Sequence, residues 1–262
     1  MNFNLENKDF FEKNGYVILR ALYSHEEISQ IKSAIDRLIQ TANQICKDLE
    51  WVGEKRFLDE HKTLYVLKKP SAALDPQILR IVGCGGSEAT LLEMSRKAEL
   101  LRVFGDLFGV DKFEQIICQS HIKKPHDGVS FDPHRDVEFR KSFDPEWKDI
   151  LQNGSYAVAC IAVDDCSAEN GGLEVVPGSH HEVVSLEHLE LAKNTLTEEQ
   201  KSLAIIPILQ KGDVLIMHAH LIHWSRANVS EQSRYTLLSG LCAVGANHAQ
   251  YPGSRVNEIV QV

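Results

Sequence analysis

Apolar residues recur along this chain with two different periods, and the period changes once. In the first part the spacing is helical. Ile28, Ile31, Ile35, Leu38, Ile39, Ala42 and Ile45 fall three or four apart, which lines them on one face of an α-helix. Ser24 and Glu27 at the head of this run have the form of a capping box, the serine accepting from a free backbone N–H while the glutamate reaches back. Ahead of it, Phe10 and Phe11, then Asn14-Gly15, then Tyr16-Val17-Ile18-Leu19 predict a short helix, a glycine stop and a strand. A strand is expected near 63–68 and a helical turn or two over 75–82. Gly83-Cys84-Gly85-Gly86 reads as a plain loop, because it has neither the Lys-Ser/Thr of a P-loop nor dinucleotide-binding spacing. Residues 88–108 carry Leu91, Leu92, Met94, Ala98, Leu101, Val103, Phe104 and Leu107 as an apolar helical stripe.

After Gly109 the runs become short and strand-like, with turn residues between them. The expected strands are 114–124, 129–133, 155–164, 172–176, 204–208, 213–217 and 234–244, with a helix-like insertion at 186–203. Many short strands after an early helical part suggest a β jelly roll buttressed by N-terminal α-helices. The simplest division is one domain over 1–262, its helical part ending near 110 and its jelly-roll core spanning about 111–250.

Composition narrows the functional classes. Hydrophobic residues make up 43% and charged residues 25% of 262, enough for a full core without staples. A net charge of −9 argues against a nucleic-acid partner. The six cysteines show no Cys-x-x-Cys pair and no zinc-finger spacing, which reads as reduced thiols in a reducing compartment. No run of 18 or more apolar residues occurs and the start lacks a basic-then-apolar leader. The expectation is a cytoplasmic monomer or homodimer, off the membrane, acting on a small molecule.

Two stretches carry candidate chemistry. Phe131-Asp132-Pro133-His134-Arg135-Asp136 contains a His-x-Asp pair. On a strand, residues two apart face the same way, so His134 and Asp136 could meet one metal ion with Arg135 turned away. Downstream of Gly212-Asp213 come His218, His220 and His223. One of these would complete a 2-His-1-carboxylate set, which leaves open positions in non-haem Fe(II) oxygenases. Periodicity does not choose among the three; the place of His223, eleven residues before Arg234, favours it. Arg234 and Thr236 share a face of the last expected long strand. A guanidinium grips a carboxylate through two parallel N–H bonds. With Ser225 as a further donor, this end could hold the far carboxylate of 2-oxoglutarate, whose 2-oxo acid end would chelate the metal. Gln119 and His121 share a strand face leading toward the His-x-Asp turn and are further candidates to touch 2-oxoglutarate. Lys123, Lys124, Arg140 and Lys141 flank that turn; they could bind an anionic substrate or only solvate a loop, and solvated charge is the plainer reading. His218 and His220 read as packing residues, and His180-His181 receives no metal role.

Three further stretches extend the pattern: Phe11-Glu12-Lys13-Asn14-Gly15-Tyr16-Val17-Ile18-Leu19, Leu22 to Ile28, and Asn170-Gly171-Gly172-Leu173-Glu174-Val175-Val176-Pro177-Gly178-Ser179-His180. With His134-Arg135-Asp136 and the late series Gly212-Asp213, His218, His223-Trp224-Ser225, Asn228, Ser230 and Arg234, the chain resembles the phytanoyl-CoA dioxygenase family over nearly its whole length. The resemblance implies a double-stranded β-helix and an oxygenase using Fe(II), 2-oxoglutarate and O2. It also implies His134, Asp136 and His223 as iron ligands, Arg234 on the distal carboxylate and Ser225 in support. Related halogenases carry a small residue in place of the carboxylate; Asp136 therefore favours hydroxylation or another oxidation over halogenation. Two rival readings are a non-catalytic metal- and 2-oxoglutarate-binding protein on the same fold, and a zinc hydrolase.

Overall fold

The structure is a computed structural model that describes residues 3–47, 50–71, 76–152, 154–182 and 196–262. It begins with α1 (Leu5–Asn14), β1 (Tyr16–Leu19) and α2 (His25–Cys46). Gly15 ends α1 in the left-handed region at φ 79°, which glycine adopts without steric cost. The capping box at α2 forms as expected: the Glu27 N–H donates to Ser24 Oγ at 3.2 Å and the Ser24 N–H to Glu27 Oε2 at 2.7 Å.

Next come β2 (Gly53–Leu58), β3 (Leu64–Lys69), β4 (Gln77–Val82), α3 (Ala89–Ser95) and α4 (Ala98–Phe108). Then follow β5 (Lys112–Lys123), β6 (Phe131–His134), α5 (Asp136–Phe143), β7 (Tyr156–Ala162), β8 (Leu173–Val175) and α6 (Glu198–Leu203). The chain closes with β9 (Val214–His218), β10 (His223–Ser225), β11 (Arg234–Ala243) and β12 (Ile259–Gln261).

Among the described residues all strand pairs are antiparallel, in two sheets. The larger runs β1-β9-β7-β11-β5-β4-β3-β2 with β12 also on β5, and the smaller runs β6-β10-β8. This is the expected jelly roll, with α2, α3 and α4 packed on the larger sheet. Strands β1 to β4 from the N-terminal part and β12 near the C-terminus all join the larger sheet.

Strand alternation gives the larger sheet two unlike faces. Ile81, Cys118, Ile122, Ile161, Val214 and Leu237 pack in one apolar cluster with Ile31, Ile35 and Leu38 of α2. The intervening residues Gln119, His121 and Lys123 of β5, and Arg234 and Thr236 of β11, point the other way, toward the small sheet.

Several local expectations are corrected. Residues 77–82 form a strand, where helical turns were expected; the run Ile78-Leu79-Arg80-Ile81-Val82 fits either period, and β-branched residues with a paired neighbour on each side decide for the sheet. The 88–108 helix is two helices, broken at Arg96-Lys97. Over 204–208 only an isolated bridge forms, Ile205 to Val175. The insertion expected at 186–203 lies outside the described residues except at its end, where α6 is capped by Thr197. Strands β2, β10 and β12 and helix α5 were not foreseen. Among the described residues, no helix is long and apolar enough to cross a membrane.

Candidate metal centre and anion pocket

The small sheet builds the first half of the site. His134 ends β6 and His223 opens β10, and the antiparallel register sets them directly opposite each other. Their ring centroids lie 4.3 Å apart. Each ring is fixed by its own backbone: the Nδ1–H of His134 donates to the Asp132 carbonyl at 2.6 Å and that of His223 to the Leu221 carbonyl at 3.0 Å. This tautomer leaves both Nε2 lone pairs free, the arrangement metal-binding imidazoles use.

Asp136 arrives differently from the way the sequence suggested. The strand stops at His134, and Asp136 is the first residue of α5, where a carboxylate suits the positive end of the helix. The strand-to-helix turn, and not strand alternation, aims it at the imidazoles. Its Oδ1 is 3.8 Å from Nε2 of both His134 and His223. Arg135 is turned away as expected, donating to the Ser179 carbonyl at 2.7 Å and to the His220 carbonyl, and pairing with Glu182.

The ligand atoms of His134, Asp136 and His223 lie within 4.8 Å of one another. Separations of 3.8 Å are too long for hydrogen bonds, so the three groups converge without satisfying one another. Burial, then repulsion from His223, pulls the His134 pKa down to about 4, which keeps its lone pair available at neutral pH. Two imidazoles and one carboxylate fit a divalent iron. Among the described residues this is the only such cluster, and His218 and His220 are outside it. The His218 ring packs on Phe11 and His180.

The large sheet builds the second half. Arg234 opens β11 directly opposite Lys123 of β5; they are 2% and 0% exposed. Lys123 Nζ donates to Ser225 Oγ at 2.8 Å and to the Arg226 carbonyl. Arg234 Nη2 donates to the Gly171 carbonyl at 2.6 Å, and Nη1 reaches Thr236 Oγ1 at 3.4 Å. Every one of these partners is neutral, and the buried Nε of Arg234 has no partner among the described residues. Burial, then the charge of Arg234, lowers the Lys123 pKa to about 7. Two cations buried side by side among neutral partners are unfavourable. A carboxylate between them would relieve that and occupy the idle Nε, so this pocket fits the far end of 2-oxoglutarate.

Lys123 thus leaves the solvated surface where the sequence reading put it. The available signal was its place two and four residues beyond His121 and Gln119 on one strand face. Gly171 explains part of the Asn-Gly-Gly stretch: it has φ +74°, and a Cβ there would sit 2.5 Å from the Arg226 carbonyl and 3.1 Å from Lys123 Nζ. Only glycine lets this backbone reach Arg234. Gln119 and His121 contact each other through Nε2 atoms, and His121 stacks on Phe131 at 4.6 Å. Burial, then Arg234, holds the His121 pKa well below its ordinary value.

Comparison with known proteins bears on the fold and the family. A phytanoyl-CoA dioxygenase domain-containing protein 1 from Danio rerio is 28% identical over 272 residues, covering 86% of this chain and 85% of that protein. Among solved structures, EctD from S. alaskensis in its apo form superposes with TM-score 0.71 at 20% identity, covering 97% of this chain and 84% of the other. The non-haem alpha-ketoglutarate-dependent carbocyclase SnoK from nogalamycin biosynthesis gives TM-score 0.66 at 16% identity, covering 97% and 88%. Fold and donor set together define a class, the non-haem iron oxygenases that use 2-oxoglutarate. Within it, the family model of phytanoyl-CoA dioxygenase (PhyH) matches residues 11–236, and the chain belongs to that family.

Proposed function

We propose that the protein hydroxylates an unactivated C–H of a small organic metabolite, with 2-oxoglutarate converted to succinate and CO2. The observation that carries this reading is the meeting of two half-sites: a His134–Asp136–His223 cluster on one sheet, and a buried Arg234–Lys123 pair with an idle donor on the other. In this reading His134, Asp136 and His223 hold ferrous iron, which supplies the activation of dioxygen that protein side chains lack. Arg234 binds the distal carboxylate of 2-oxoglutarate, with Ser225, Thr236 and Lys123 as supporting donors. Gln119, on the same face of β5, borders the co-substrate. Asp136 fills the third protein position and so disfavours a halide there. Six unpaired cysteines, five of them buried, support a reducing, cytoplasmic setting.

The test is succinate release from 2-oxoglutarate with Fe(II) and ascorbate, run with and without oxygen across candidate metabolites. Oxygen-dependent release that a metabolite stimulates, with one oxygen atom added to that metabolite, is the expected result. Hydrolysis that persists without oxygen, or 2-oxoglutarate binding with no succinate formed, would overturn it.

A further inference from the structure

Beyond the two half-sites, two more guanidiniums sit beside the metal cluster, and neither is held in an ion pair among the described residues, although Arg80 feels Glu54 and Arg140 feels Asp136. The first is Arg80. The β4–β5 register sets Ile81 against Ser120 and Val82 against Gln119, so Arg80 is next in the row, beside His121 and on the face that carries Gln119 and His121. It is partly buried, and among the described residues it makes no hydrogen bond or ion pair. The second is Arg140. It lies four residues after Asp136 on α5, hence on the same side of the helix as that carboxylate. Its guanidinium rests over the rings of Tyr251 at 4.7 Å and Tyr156 at 5.5 Å. The Nε and Nη1 of Arg140 and the hydroxyls of Tyr156 and Tyr251 are all buried without a hydrogen-bond partner among the described residues.

This is an unusual collection of idle donors. A buried donor left unpaired costs about 1–3 kcal/mol, more when charged, so several together mark a place made for acceptors. The two arginines also feel each other: the Arg80 pKa is lowered by burial first, then by the charge of Arg56, with Glu54 opposing, and by that of Arg140. They are separate from the Arg234–Lys123 pair, since they reach the cluster from β4 and from α5. Phe139, edge-on to the His134 ring at 4.9 Å and 43% exposed, adds an apolar wall.

We propose that Arg80 and Arg140 receive the oxyanionic head group of the organic substrate, a carboxylate or a phosphoryl group, and so hold its carbon skeleton beside the His134–Asp136–His223 cluster. This names the substrate class for the oxygenase reading above and rests on it. Planar guanidiniums match such oxygens two at a time, and Tyr156 and Tyr251 supply further donors. Neutral analogues of the same skeleton leave the donors unmet and bind worse.

The test uses the full-length metal-free protein and two probes, sodium acetate for a carboxylate and sodium sulfate for a phosphoryl group. Each is titrated calorimetrically against sodium chloride at equal ionic strength, with 2-oxoglutarate present to fill the Arg234 end. At least one probe should bind wild type, and the stronger of the two assigns the head group. The Arg80→Gln/Arg140→Gln double variant should bind it about tenfold more weakly or worse, while Arg234→Gln should bind it as wild type does. An Arg80→Lys/Arg140→Lys variant that recovers part of the affinity shows the loss to be one of charge and not of folding. Undiminished binding by the Gln double variant, loss of binding in Arg234→Gln, or no binding of either probe to wild type would overturn the proposal. Succinate release by the same wild-type protein loaded with Fe(II) tests the parent reading separately. Its absence alongside a probe that binds through Arg80 and Arg140 would remove the oxygenase and leave the anion site standing.

Discussion

The two faces of β5 and β11 are built from alternate residues of the same strands, yet they do opposite things. Toward α2, Cys118, Ile122 and Leu237 are sealed in an apolar cluster, and none of them leaves a buried nitrogen or oxygen unpartnered. Toward the small sheet, Lys123, Arg234 and Thr236 are as deeply buried, but they hold charge among neutral partners and leave a donor idle. Burial alone therefore does not tell core from site. The difference lies in whether the buried groups are satisfied: the first face stabilises the fold, and the second holds strain that a bound anion would relieve.

The sharpest way to break this comparison is at the metal cluster, which only the second face serves. Asp136→Ala should lower iron-dependent succinate release by about a thousandfold or more, with the circular dichroism spectrum unchanged. On the first face, Leu237→Ala should cost about 2–5 kcal/mol in urea unfolding and leave the KM for 2-oxoglutarate near that of wild type. Arg234→Met should do the reverse. Its KM for 2-oxoglutarate should rise roughly a hundredfold, or about 2–3 kcal/mol, while the ligand-free protein unfolds at the same urea concentration or higher because a buried unpaired cation is gone. A large loss of stability in that variant would show that the two faces do the same work.

The smallest effect is the pH dependence of Lys123. Its folded pKa is lowered from 10.5 to about 7, so between those values the unfolded chain binds the proton more tightly and stability rises with pH. Below about 7 both states are protonated, and the full cost of the buried cation remains. A bound carboxylate favours the protonated amine, so affinity for 2-oxoglutarate should fall as pH rises past about 7. Calorimetry in buffers of different ionisation enthalpy should show proton uptake on binding near pH 8, and Lys123→Met should abolish it.

Much of this was legible in the sequence, and the exceptions share a cause. The capping box at Ser24, the stop at Gly15 and the long strands β5 and β11 are set by local chemistry and by runs long enough to show a period. His134, Asp136, His223 and Arg234 were legible as a pattern of residue types. What failed was everything decided by pairing partners far away. The run 77–82 is a strand because β3 and β5 flank it. The three-residue β10 is too short for any period to reveal, yet its register places His223 against His134. Lys123 and Arg140 look like surface charge in a list of residues, and only the folded chain shows what covers them. Asp136 does reach the two imidazoles, but not by strand alternation, since its aim depends on where a strand yields to a helix.

The central claim is that the Arg234–Lys123 end exists to hold the second carboxylate of a 2-oxo diacid whose other end faces the metal cluster. It is tested most directly by titrating Mn(II)-loaded protein, without oxygen, with 2-oxoglutarate and with 2-oxobutyrate, which lacks that carboxylate. The account predicts that wild type binds 2-oxoglutarate at least about tenfold more tightly, and that Arg234→Met binds the two nearly alike. Equal affinity in wild type, or a preference that survives in Arg234→Met, would contradict it.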